Sequence, residues 1–120
     1  MRRRFVETAG PAAGGGAGFN YHYGTYTGNG AATQAIVGCG FQPRFLIVLA
    51  AVENGATQPC FKGEGMGVWA VIWWQGGGQF QRHDDEIISL DADGFTVGDG
   101  GGFVNFLNDN LVLYEYIAMG

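Results

Sequence analysis

The chain has 120 residues and a net charge of −5 at pH 7. That is one domain's length, with the wrong sign for nucleic acid, whose phosphates need clustered Lys and Arg. Glycine supplies 23 residues, against ~7% in an average protein, and shows no three-residue period, which excludes collagen. Charged residues reach only 14% and hydrophobic ones 47%, which excludes a disordered chain and points to short strands joined by tight turns.

Residues 1–18 read as a Gly-rich N-terminal arm and residues 19–120 as the folded domain. The run Gly14-Gly15-Gly16 has nothing to pack with. Arg2-Arg3-Arg4, followed by Phe5, is the only basic run. Its plain reading is a solvated tip, and its functional reading is an anchor onto an acidic partner surface. The basic start runs into Glu7 rather than an apolar stretch, so no signal peptide is expected. No apolar run reaches the ~18–20 residues of a membrane helix, so no membrane insertion is expected. The expectation is a protein made in the cytoplasm that stays soluble or joins a particle.

Residues 19–27 alternate aromatic and polar side chains, the mark of a half-buried strand. Gly28-Asn29-Gly30 is a turn, and residues 33–37 form a second strand. Residues 45–52 are apolar on both faces and predict a central strand covered on each side. Residues 53–65 read as a loop, and residues 68–74 as another doubly apolar strand. Trp73 and Trp74 face opposite sides of it. Residues 86–90 form a short strand, and Asp91-Ala92-Asp93-Gly94 turns into a strand at 95–97. Residues 103–107 and 111–119 flank Asn108-Asp109-Asn110 and read as a hairpin. No segment has a helical period. The prediction is an all-β fold, a small antiparallel, jelly-roll-like β-sandwich of about seven to eight strands. Its surplus apolar surface predicts a homo-oligomer.

Catalytic and metal chemistry find little footing. His83-Asp84-Asp85-Glu86 is the densest polar cluster, but neighbours on a strand point to opposite faces, so it reads as a solvated loop. Asp91-Ala92-Asp93-Gly94 opens like a calcium loop, yet the closing acidic position is Gly102. Ser89 is the only serine and Lys62 the only lysine. Cys39 and Cys60 match no redox or zinc spacing and read as buried thiols, a disulfide requiring neighbouring strands. No enzyme activity, metal or cofactor is expected. Tyr21, Tyr23, Tyr26, Trp69, Trp73 and Trp74 are read as core or subunit-interface groups, or as a platform for sugar rings.

Three segments carry a resemblance. They are Tyr26-Thr27-Gly28-Asn29-Gly30, the strand from Gln34, and Gly40-Phe41-Gln42-Pro43 ahead of an apolar strand. With Asp93-Gly94-Phe95 and the closing Tyr114-Glu115-Tyr116, they resemble a β-module of bacteriophage virion proteins, capsid-associated or in tail fibres. The Gly-Phe-x-Pro piece also resembles H-type lectin domains. The resemblance implies a non-enzymatic phage structural or tail-fibre-like β-module; with the low charge and the apolar excess, the expectation is a virion protein, self-associating as a homotrimer and docked on capsid or tail through the arm. Within it a capsid decoration or head-fibre-like role is favoured over a tail-fibre tip. The alternative is a carbohydrate-binding module for host adhesion, with a host surface glycan as partner.

Overall fold

The computed structural model describes residues 18–50, 59–74, 78–100 and 107–120. The fold is all-β and antiparallel, in two sheets. The strands are β1 (Tyr21–Thr27), β2 (Thr33–Val37), β3 (Phe45–Ala50), β4 (Cys60–Gly63), β5 (Ala70–Trp74), β6 (Gln79–His83), β7 (Ile87–Asp91), β8 (Gly94–Gly98) and β9 (Leu113–Met119). The large sheet has the order β1-β9-β3-β4-β5-β6, and the small one the order β2-β8-β7. A single 3-10 turn, Glu64–Met66, links β4 to β5.

The strands expected at 33–37 and near 45–50, 70–74 and 94–98 are present. Two described strands were not expected, and nine strands are present among the described residues. β4 lies in the stretch read as a loop. It turns Cys60 and Lys62 inward, and a buried lysine hides the alternation that marks a strand. Burial of its stem is offset because the Lys62 ammonium donates to the carbonyls of Gly67 and Trp69. β6 reads Gln-Phe-Gln-Arg-His, too polar to announce a strand, and is recruited by pairing along β5. The hairpin expected at 103–119 falls partly outside the described residues. β9 pairs with β1 on one edge and β3 on the other.

The core lies between the sheets. Strand alternation sends Leu46, Val48, Tyr114, Tyr116 and Ala118 of the large sheet inward, onto Ile36, Ile87, Phe95 and Val97 of the small one. Tyr26 stacks on its cross-strand partner Tyr114 with centroids 5.1 Å apart, and Phe95 meets Tyr116 edge-on at 4.8 Å. Each tyrosine hydroxyl keeps a polar contact. Tyr26 donates to the Leu107 carbonyl, and Tyr114 accepts from the Asp109 N–H.

The segments of the resemblance have clear local work. Gly28 lies so close to Asp109 that a Cβ there would sit 2.1 Å from the Asp109 carbonyl oxygen. Next to it, buried Asn108 accepts from the Asn29 N–H and donates to Asn29 Oδ1 and the Ala31 carbonyl. Gly40 takes a φ of +83°, Phe41 packs against the core, and Pro43 is buried ahead of β3. Asp93, in the β7–β8 turn, accepts from the N–H groups of Gly38 and Gly40. Asn108→Ala removes three side-chain hydrogen bonds across 77–79 residues of chain. It is expected to cost about 2–3 kcal/mol, read as a lower urea midpoint at unchanged slope. An unchanged midpoint would show that the network adds nothing.

Candidate functional site

Alternation also sends half of each large-sheet strand away from the core. Cross-strand pairing lines up Tyr23, Ile117, Ile47, Phe61, Val71 and Arg82 in one row over all six strands. Tyr21, Met119 and Phe45 form a second row beside it, and Thr25, Glu115 and Leu49 a third. Trp73 and Phe80 complete the β5–β6 end. The small sheet covers only the opposite face, so this one is open among the described residues. Tyr21 is 61% exposed, Phe80 59% and Tyr23 51%. Phe45, Leu49, Leu113 and Trp69 are also exposed.

Only two charged side chains stand at the outward strand positions among the described residues. Glu115 accepts a 2.9 Å hydrogen bond from the Tyr23 hydroxyl. That bond to a carboxylate raises the Tyr23 pKa. Arg82, on edge strand β6, holds its guanidinium 5.2 Å from the Trp69 ring centroid. Trp73 and Phe80 cross at 72°, with Phe61 packed edge-on to Phe80.

The aromatic residues singled out from the sequence therefore divide. Tyr21, Tyr23, Trp69 and Trp73 share this outward face. Tyr26 does not: its position on β1 has the opposite parity, so it fills the core and is unavailable to a sugar or a subunit. Arg2, Arg3, Arg4 and Phe5 lie outside the described residues, as does the side chain of Trp74. Phe45, Leu49, Phe61, Ile117 and Phe80 were not named from the sequence. For Phe45 and Leu49 the signal was the apolar character of both faces of 45–52, but the parity that faces outward is set by pairing.

The His83–Glu86 cluster needs correction. Asp84 and Asp85 are exposed as expected, but Glu86 is fully buried. Its carboxylate lies 3.9 Å from His83 Nδ1, and neither oxygen has a hydrogen bond among the described residues. Burial, reinforced by Asp85 and Asp99, pushes its pKa up to about 8. The chain bends after β6, so residues three apart meet although strand neighbours diverge. No group of three or more His, Cys, Asp or Glu among the described residues has metal-binding geometry. Cys39 and Cys60 are free, buried thiols whose pKa burial raises.

Two of the hollows among the described residues adjoin the large sheet. One of about 530 Å³ opens between the sheets, lined by Gln42, Arg44, Lys62, Glu64 and Ser89. The Arg44–Glu64 ion pair on its rim spans 2.6 Å and raises the arginine pKa while lowering the glutamate's. The other, about 520 Å³ and more apolar, lies among Phe19, Phe45, Met119 and Gly120, and so extends the outward face. No helix among the described residues is long and apolar enough to cross a membrane. Comparison with protein-family models, with curated proteins and with solved structures found no match.

Proposed function

We propose that this chain is a non-enzymatic structural protein of a bacteriophage virion. It is a β-module that assembles with copies of itself and attaches to the capsid or the tail. The observation that carries the reading is the open apolar face of the large sheet. A row of aromatic and aliphatic side chains over five strands, ending in Arg82 on the sixth, is a surface that soluble monomers rarely leave uncovered. The segments resembling virion modules support it, and they build the turns that follow β1 and precede β3. Low charge on an acidic chain suits a subunit buried among others and speaks against nucleic acid as partner. Capsid decoration, or a head-fibre-like role, is the preferred placement.

A gold-labelled antibody against the chain, applied to intact particles, tests this. Label spread over the head is the expected result, and label confined to the tail moves the module there. Particles that carry no label, from a lysate in which the chain is expressed, would end the virion reading.

A second reading, binding of a host glycan, draws on exposed Tyr21 and Tyr23 side by side on the β1 edge. Against it, Trp73, Phe80 and Phe61 cross edge-on and offer no single flat ring face. Tryptophan fluorescence titrated with host polysaccharide separates the two, and the expected result is no shift.

A further inference from the structure

We infer that the outward face of the large sheet pairs with the same face of a second copy, about an axis running along the strands. In that arrangement Arg82 of one copy meets the Tyr23–Glu115 pair of the next. The inference deepens the self-assembly part of the proposed function and rests on it.

The argument starts from where the two charges sit. Arg82 is on β6, one edge of the sheet, in the same cross-strand row as Tyr23 on β1, the other edge. Strands lie 4.7–4.9 Å apart, so the row is about 24 Å long, positive at one end. At the other end Tyr23 holds the Glu115 carboxylate. The centre of the row, Ile117, Ile47, Phe61 and Val71, is uncharged. The face is thus an apolar strip with a cation on one edge and an anion near the opposite one.

Two sheets of this kind meet face to face in two simple ways. An axis across the strands lays each strand over its own copy, so Arg82 faces Arg82 and Glu115 faces Glu115. Like charges brought together at an interface cost several kcal/mol. An axis along the strands instead lays β6 over β1 of the neighbour. The apolar centre still meets an apolar centre, and Arg82 falls on the Tyr23–Glu115 end. Charge therefore selects the second arrangement. It also selects a copy of this chain over a sugar, because the face supplies its own complement. The contact uses the same face on both copies and closes as a two-fold pair.

The test is the solution mass of the full chain by light scattering and sedimentation equilibrium over a range of concentrations. Arg82→Glu and Glu115→Arg each place like charges together. Each is expected to weaken association at least tenfold, and the double variant to recover it to within about threefold of wild type. Ile47→Asp, in the middle of the row, is expected to leave monomers. Far-UV circular dichroism checks that each variant folds. Arg82→Ala, a milder change, keeps the question open to measurement if a charge reversal disturbs folding: it is expected to weaken association and to reduce its dependence on salt.

A wild-type oligomer indifferent to all four substitutions would overturn the pairing and leave self-assembly standing through another surface. Loss of association in the single variants with no recovery in the double one would overturn the axis. A wild-type chain that stays monomeric at every concentration would overturn both the pairing and self-assembly. Sugar-dependent tryptophan quenching in that monomer would then assign the face to a glycan.

Discussion

Wild-type protein is expected to lose stability steadily as pH rises from about 4.5 to 8, and Glu86→Gln is expected to abolish that loss. Glu86 is fully buried, without a hydrogen bond to either carboxylate oxygen among the described residues. Burial keeps its proton on until about pH 8, with Asp85 and Asp99 adding to the effect. His83 faces it at 3.9 Å, and Cys60, Tyr26 and Tyr114 are the other titratable groups that feel its charge. In the unfolded chain the same carboxyl titrates near 4.3.

The sign follows from proton counting. Below the unfolded value both states hold the proton, and the group adds no pH dependence. Between the two values the unfolded chain has released it and the folded one has not, so unfolding becomes easier as pH rises. Above about 8 both have released it and the slope ends. A shift of this size corresponds to roughly 3–5 kcal/mol. Glutamine keeps the shape without a charge to bury. Thermal unfolding from pH 4.5 to 9 should therefore show a falling Tm for wild type and a flat one for the variant. The two should agree at pH 4.5 and differ by about 12–20 °C at pH 9, at about 4 °C per kcal/mol for a domain of this size. A wild-type Tm that does not move with pH would show that Glu86 is ionised and solvated in the folded protein.

The second large effect is expected at Phe95. It is the main aromatic group that the small sheet contributes to the core, fully buried, edge-on to Tyr116 at 4.8 Å and to Tyr26 at 5.9 Å. Phe95→Ala removes a ring between two sheets whose backbones are held apart by the tyrosines on the other side. The cavity cannot close, so the cost is expected at about 3–5 kcal/mol. That is a Tm fall of about 12–20 °C, while Phe95→Leu, which refills part of the volume, should cost about half. A loss below 1 kcal/mol for the alanine variant would mean that the two sheets are not packed through this ring.

Much of the fold could be read from residue patterns. The alternation of residues 21–27, the apolar run at 45–50 and the Asp93-Gly94 turn each signal their element locally, because strand periodicity and turn chemistry act over a few residues. β4 and β6 give no such signal. Lys62 points inward only because two carbonyls from the following turn reach its ammonium. Gln79–His83 is a strand because β5 offers it a free edge. Both causes lie outside the segments themselves.

The same division holds for the candidate site. Composition already required that apolar surface remain after one small sandwich had folded, since both faces of residues 45–52 are hydrophobic and charge is scarce. Its scarcity of Lys and Arg gave the expectation that nucleic acid is no partner. Which aromatic residues stay outside followed from pairing. Tyr26 and Tyr23 stand three residues apart on one strand, yet one fills the core and the other meets solvent, because a strand's parity is set by the neighbour whose hydrogen bonds it takes. Arg82 and Glu115 likewise carry no relation along the chain. They come to opposite ends of one face because β9 inserts between β1 and β3 while β4, β5 and β6 extend the sheet the other way. Local chemistry acts on neighbours in sequence, and the make-up of the outward face depends on neighbours across strands.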